Sequence, residues 1–222
     1  MIFDRLLSAY GPQHWWPADT EVEIVVGAIL TQNTAWRNVE RAIENLKRVD
    51  VLSWVALRDL PLRRLAKLIQ PSGTYRVKAR RLKAFVDRLW KDHGGSLRRM
   101  LDGDLEEARR RLLDVPGIGP ETADAILLYA GGRPTFVVDA YTVRVLRRHF
   151  LLDDESLPAG GAKRYEQVRR LFHDALPPDV DLFNEYHALL VQVGKRHCRI
   201  RPDCAGCPLA DLPHDEERSS RG

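Results

Sequence analysis

With 222 residues, the chain is long enough to bury roughly 70% of the surface its unfolded form exposes, and so to support one or two compact domains. Hydrophobic residues make up 44% and charged residues 30%, with five Trp, a composition that excludes a generally disordered or fibrous polymer. The 35 Lys and Arg exceed the 31 Asp and Glu by only four, a weak lean toward an anionic partner. No run approaches the roughly 20 apolar residues of a membrane span, and no secretory leader is visible, so the expectation is a cytoplasmic protein with no membrane partner.

In chain order, Pro12 and Pro17 break the N-terminal stretch, and Trp15 and Trp16 lie between them. Val22, Val25, Val26, Ile29 and Leu30 then follow helical spacing, as do Leu82, Phe85, Val86, Leu89 and Trp90, followed by Leu105, Ala108, Leu112 and Leu113. Near the end Tyr186, Leu189, Leu190 and Val193 repeat the stripe. Breaks at Pro61, Pro71 to Gly73, Gly94 and Gly95, Gly131 to Pro134, Pro158 to Gly161 and Pro177 to Pro178 divide the chain into about ten helices. Alternation of period two between hairpin turns is missing, so the predicted class is all-α. Val22 to Ile29 and Thr135 to Val138 are the two runs whose β-branched content also admits a strand. Residues 215–222 carry no apolar anchor and read as a mobile tail.

The most informative segment runs Leu113, Asp114, Val115, Pro116, Gly117, Ile118, Gly119, Pro120, Glu121, Thr122, Ala123, between two helical stretches. Two glycines around Ile118 permit a tight turn, and Pro120 suits the first turn of the next helix. Backbone N–H groups at such a turn can hold a phosphate with little help from net charge. A plain turn between packed helices remains the bland alternative. Twenty residues past Gly119, Asp139 separates the apolar Phe136, Val137, Val138 from the helical Ala140, Tyr141, Thr142, Val143. Alone, it would be an ordinary helix N-cap.

Taken together, the hairpin and Asp139 resemble the helix-hairpin-helix motif and catalytic aspartate of the endonuclease III superfamily of DNA glycosylases, over about residues 15–212. The resemblance implies two helical domains. A six-helix barrel carrying the hairpin would span residues 21–133, and residues 1–20 with 134–214 would form a second domain, with a DNA-binding cleft between the two. It implies double-stranded DNA with a damaged base as partner, a monomer working at the nucleoid, and a carboxylate, Asp139, that activates water or stabilises positive charge developing on the sugar. Val115, Gly117, Ile118 and Gly119 would hold the DNA backbone.

Bifunctional members of the family carry a lysine two residues after the second hairpin glycine, for Schiff-base chemistry with the sugar. Here that position is Glu121, which argues against strand cleavage and is assigned to the catalytic site, although an acid is also favourable in any first helical turn. Trp15, Trp16 and Pro17, the run Leu30, Thr31, Gln32, Asn33, Thr34 with Trp36, and Pro71, Ser72, Gly73 with Tyr75 are similar to the 3-methyladenine glycosylase branch. That likeness implies a monofunctional enzyme acting on alkylated purines. Trp15, Trp16, Pro17 and Trp36 would line the base pocket, where a cationic base gains stacking and cation–π attraction. Gln32 and Asn33 either fill the gap left by the flipped base or simply link two helices. The basic run Arg76, Lys78, Arg80, Arg81, Lys83 either contacts phosphates or forms a solvated face. Alternatives are an endonuclease III-like enzyme on oxidised pyrimidines, and a DNA-binding module without catalysis.

All three cysteines, Cys198, Cys204 and Cys207, fall within ten residues of one another, a local site rather than a disulfide framework. Endonuclease III and many relatives bind a [4Fe–4S] cluster there through four cysteines separated by six, two and five residues. In this chain the first gap is five, the second is two, and the fourth position holds Pro213 followed by His214. The resemblance therefore implies a [4Fe–4S] site of Cys198, Cys204 and Cys207 completed by His214, with Arg196, Arg199 and Arg201 favouring the thiolates. A zinc site or a vestige that binds nothing are the alternatives.

Overall fold

The computed structural model describes residues 2–152 and 161–215. Its helices are α1 (Ile2–Tyr10), α2 (Glu21–Leu30), α3 (Trp36–Arg48), α4 (Trp54–Asp59), α5 (Leu62–Leu68), α6 (Tyr75–His93), α7 (Leu97–Met100), α8 (Leu105–Leu113), α9 (Pro120–Ala125), α10 (Ala140–Arg148), α11 (Gly161–Ala175) and α12 (Val180–Arg196). No strand occurs among the described residues, so the fold is all-α. No described helix is long and apolar enough to cross a membrane. The chain divides into two compact units, residues 18–133 and residues 1–17 with 134 onward.

In the first unit, α2 is the buried centre. Eight of its residues, from Val22 to Leu30, are shielded from solvent, and it packs against α3, α6 and the π-helical turn Ile126–Ala130 that continues α9. The β-branched run that admitted a strand is thus a helix, because a helix buried on nearly every side needs apolar residues all round. Its start is fixed by Thr20, whose Oγ1 accepts from Glu23 N at 3.2 Å, and Glu23 accepts in turn from Asp19 N and pairs with Lys47 at 2.9 Å. The long helix α6 ends at Gly94 in the left-handed region, with Gly95 N donating back to Leu89 O at 3.0 Å. A side chain at Gly95 would run into the Trp90 ring.

The second unit is built on α12. Phe136, from the segment leading to α10, stacks on Phe172 with ring centroids 3.5 Å apart and meets Phe183 and Tyr186 edge-on. Phe3 of α1 packs on Tyr186. Helices α10 and α12 cross closely at Gly194, where any Cβ would overlap Tyr141. Thr135 to Val138, the other run open to a strand reading, is neither helix nor strand. Its buried amides are satisfied by side chains, Phe136 N by His173 Nε2 at 3.2 Å and Val138 N by the Tyr165 hydroxyl at 3.3 Å. Of the segment expected to be a mobile tail, Asp215 donates its N–H to Arg148 O at 2.9 Å, and residues 216–222 lie outside the described residues, as does the expected break from Pro158 to Gly160.

Candidate functional site

The hairpin joins α8 to α9 through residues 114–119. Val115 and Ile118 are 1% and 5% exposed and anchor the turn from inside. Their apolar side chains are thereby removed from water, which leaves their backbone as the part that could meet a DNA phosphate. The outer surface is backbone. Gly117 has φ +88°, a conformation that favours glycine, and a Cβ there would collide with the Arg81 side chain lying across it. The space before Gly119 is open, and neither Gly117 N nor Gly119 N donates to another backbone group among the described residues. Pro120 opens α9, and Glu121 is exposed in its first turn.

Two braces hold this turn. Asp124 of α9, fully buried, takes a bidentate pair from Arg109 of α8, with Nε–Oδ1 2.8 Å and Nη2–Oδ2 3.0 Å, a geometry that repays desolvation better than a single contact. The other brace is Gln32, from the loop between α2 and α3. Its Nε2 donates to Gly117 O at 3.2 Å and to Thr122 Oγ1 at 2.9 Å, while its Oε1 accepts from Arg81 Nη1. The Gln32 amide thus ties the hairpin, through its Nε2, to Arg81 of α6, through its Oε1. Asn33 beside it is exposed and left-handed at φ +52°, at the tip of the same loop.

The basic run of α6 does not form one stripe. Lys78 is 1% exposed and donates to Leu30 O at 2.8 Å and Ser72 O at 2.5 Å; burial lowers its pKa from the usual lysine value. Lys83 donates to Leu57 O and Arg58 O, and Arg81 is held by Gln32. Only Arg76 and Arg80 of the five are exposed.

In the other unit, Asp139 is the N-cap of α10. Its Oδ1 accepts from Thr142 N at 2.7 Å and Thr142 Oγ1 at 3.0 Å, which fixes the carboxylate's orientation. The second oxygen, Oδ2, lies 3.8 Å from Nε2 of His187 on α12. His187 is buried, and burial holds its pKa below the ordinary value; the nearby Asp139 opposes that shift and Lys195 adds to it. The aspartate thus faces a neutral imidazole, a partner missed in the sequence because it is 48 residues away (187 − 139) on a helix whose stripe reads simply as core.

Trp15 and Trp16 are half-buried and pack edge to face at 5.3 Å, with Pro17 exposed after them. The Lys195 ammonium lies 5.8 Å from the Trp15 ring centroid. Trp36, half-buried at the start of α3, belongs to the other compact unit.

Cys198, Cys204, Cys207 and His214 all line one small cavity, together with Arg148, His149 and His197. None of the cysteines is in a disulfide. Among the described residues no three His, Cys, Asp or Glu side chains converge tightly enough for a single metal ion. A zinc with bonds of about 2.0–2.3 Å needs its ligand atoms within roughly 4 Å of one another, whereas a four-iron cluster spreads its ligands around a larger body. The cation at the thiols is Arg148 of α10, whose Nη1 donates to Cys198 Sγ at 3.1 Å, while Arg144 donates to Cys198 O at 3.0 Å. Of the arginines expected there, Arg199 donates instead to Arg196 O, and Arg196 stacks over Tyr10 at 5.0 Å. Burial raises the Cys207 pKa, against a hydrogen bond from the Leu209 backbone, so a bound cation is what would hold that thiolate.

Residues 26–178 match the model of the HhH-GPD superfamily of base excision DNA repair proteins. A protein of Methanocaldococcus jannaschii provisionally named a DNA repair glycosylase is 43% identical over 212 residues, covering 95% of this chain and 93% of its own length. Among solved structures, the H. pylori 3-methyladenine DNA glycosylase bound to 1,N6-ethenoadenine is similar with a TM-score of 0.72 and 27% identity, over 88% of this chain and 96% of that one. A non-covalent endonuclease III–DNA complex is similar with a TM-score of 0.80 over 99% of this chain and 95% of that one; at 22% identity it speaks for the fold alone.

Proposed function

Because the chain belongs to the HhH-GPD superfamily of base excision DNA repair proteins, we propose that it is a monofunctional DNA glycosylase that flips a damaged base from duplex DNA and releases it by hydrolysis. The observation that carries this reading is the state of Asp139. One carboxylate oxygen is fixed by Thr142, and the other is turned toward a neutral histidine instead of a paired cation. That carboxylate is oriented, and among the described residues no arginine or lysine is paired with it. It is suited to accept a proton from water or to stabilise the positive charge that develops on deoxyribose as the glycosidic bond breaks. The hairpin contributes the backbone donors of Gly117 and Gly119 to a phosphate.

Glu121 supports base release without strand cleavage, since a carboxylate cannot form a Schiff base with the abasic sugar. Alkylated purines are the substrates we assign. Support comes from the half-buried Trp15 and Trp16 pair and from the likeness to the H. pylori 3-methyladenine glycosylase. We assign to Asn33, exposed at the tip of its loop, the contact with the opposing strand, while Gln32 beside it holds the hairpin. Cys198, Cys204, Cys207 and His214 are proposed to hold a [4Fe–4S] cluster, supported by their common cavity. When bound, the cluster supplies a tie that shapes the C-terminal segment. Arg148 then neutralises part of the thiolate charge.

The test is base release from duplexes each bearing one lesion, 1,N6-ethenoadenine, 3-methyladenine or an oxidised pyrimidine, with and without alkali. Alkali-dependent strand breaks at the alkylated purines are expected, with no adduct trapped by borohydride. Strand cleavage without alkali, or a trapped adduct, overturns the monofunctional reading. Release of oxidised pyrimidines alone overturns the substrate assignment.

A further inference from the structure

Helices α5 and α6, with the 3-10 turn Gln70–Ser72 between them, enclose an open groove of about 910 Å³ lined by Leu62, Arg63, Lys67, Gln70, Tyr75 and Arg76, with Ala66 and Arg80 completing it. Four of these residues are cations, and none is an acid. Among the described residues Arg63, Lys67, Arg76 and Arg80 make no ion pair, and all four are exposed. This one groove gathers as many uncompensated positive charges as the net charge of the whole chain, +4. Elsewhere in the same unit some cations are paired, as Lys47 is with Glu23, Arg58 with Asp59 and Arg88 with Asp92.

The arrangement works against folding. Arg76 stands in the first turn of α6, where the helix dipole favours acids, and that helix begins without a side-chain cap or an acidic residue. Like charges on two facing helices add repulsion. An anion lying along the groove removes both costs. Tyr75, half-buried, with the Arg76 guanidinium 5.7 Å from its ring, adds an apolar surface suited to a sugar rather than to a bare ion.

We propose that the α5–α6 groove is a second phosphate-binding track, separate from the hairpin, that takes successive phosphodiesters of the DNA backbone. It reads no base, so it contributes equally to damaged and undamaged duplex. The proposal rests on the DNA-binding part of the reading above and does not depend on which base, if any, is released.

The test therefore uses an undamaged duplex. Binding is followed by fluorescence anisotropy between 50 and 200 mM salt for the wild type, for the double variant Arg63→Gln with Lys67→Gln, and for the charge-retaining Arg63→Lys with Lys67→Arg. Each phosphate contact contributes about 0.9 to the slope of log K against log salt. Loss of two lowers the slope by about 1.8, so the fall in affinity over this fourfold salt range shrinks by about 12-fold. The charge-retaining variant keeps the wild-type slope. Arg76→Gln with Arg80→Gln, on the other wall, gives a like loss. Unchanged slopes in both neutralised variants overturn the proposal. So does a thermal upshift by inorganic phosphate that disappears in the neutralised variants while their DNA slopes stay at the wild-type value, because the groove would then take free phosphate only. Failure of base release, with the slopes behaving as described, would count against the enzyme reading and leave the groove standing.

Discussion

Asp139 has two roles that one substitution can separate. Its Oδ1 caps α10 through Thr142 N and Oγ1 at 2.7 and 3.0 Å, and its Oδ2, toward His187, is the oxygen assigned to the chemistry. Asp139→Asn keeps a carbonyl oxygen for the cap, and Asn caps about as well as Asp, so stability should change by less than about 0.5 kcal/mol. The same change removes the negative charge that meets the developing positive charge on the sugar. Loss of one such electrostatic group costs about 3–4 kcal/mol of barrier, or roughly 10²–10³ in rate. Asp139→Ala loses the charge and the cap together, and should add about 1 kcal/mol of destabilisation. Single-turnover release of 1,N6-ethenoadenine at saturating enzyme measures the first effect, and thermal unfolding measures the second. If Asp139→Asn retains activity within threefold of wild type, Asp139 is only a cap. If it unfolds as easily as Asp139→Ala, the assignment of Oδ1 to the cap is wrong.

Four further outcomes follow from the same geometry. Asp124→Ala removes the carboxylate that the buried Arg109 guanidinium grips bidentately and should cost about 3–5 kcal/mol in denaturant unfolding. Gln32→Leu removes two donors and one acceptor from the hairpin brace and should lower stability by about 1–3 kcal/mol, with weaker binding of undamaged duplex, whereas Asn33→Gly should leave stability unchanged. His187 is held below its ordinary pKa by burial; the unfolded chain takes up its proton first, so stability falls as pH drops below about 6.5, and His187→Gln should flatten that part of the pH–stability curve. Anaerobically purified protein should be brown and carry iron, and Cys204→Ser should lose both the colour and the iron; colourless, iron-free wild type would remove the cluster from the proposal.

The hairpin was legible because its constraints are local: a residue with φ +88° at Gly117 and a proline opening α9 announce themselves in adjacent letters. Asp139 was legible for the same reason, as a cap at the junction of an apolar run and a helix. Its neighbour His187, the Gln32 brace and the Arg148 contact to Cys198 were not, because each joins residues 48 or more positions apart (|187−139|, |117−32|, |198−148|) and periodicity carries no information on such pairs. Val22 to Ile29 was legible as a helix from its apolar spacing, although its β-branched content also admitted a strand, and burial on nearly every side of α2 is why the helix is the better solution. Gln32 reads in the sequence as filling the gap left by the flipped base or as linking two helices, and periodicity gives no sign that its amide bonds Gly117 O, Thr122 Oγ1 and Arg81.

The same unit explains how a chain with so little net charge can still engage a polyanion. Lys78 donates to Leu30 O at the end of α2, Lys83 to Leu57 O and Arg58 O in the last turn of α4, and Arg99 to His93 O and Gly94 O at the end of α6. Arg111 and Arg133 serve the carbonyls of Met100, Leu101, Asp102 and Gly103 after α7. Each of these cations meets the negative end of a helix, satisfying carbonyls that have no partner within the helix itself. They are structural charges, and drawing them out to phosphate would leave those carbonyls unmet. Composition therefore overstates the charge available to DNA, and the cations that remain must be placed where they are not needed for folding. Arg63, Lys67, Arg76 and Arg80 satisfy that condition, and so do the backbone donors of the hairpin, which carry no formal charge at all. Affinity in such a protein should depend on a few sites of known position, and its salt slope should respond to substitutions in the α5–α6 groove far more than to substitution of Arg99 or Arg133, whose loss should appear in unfolding experiments instead.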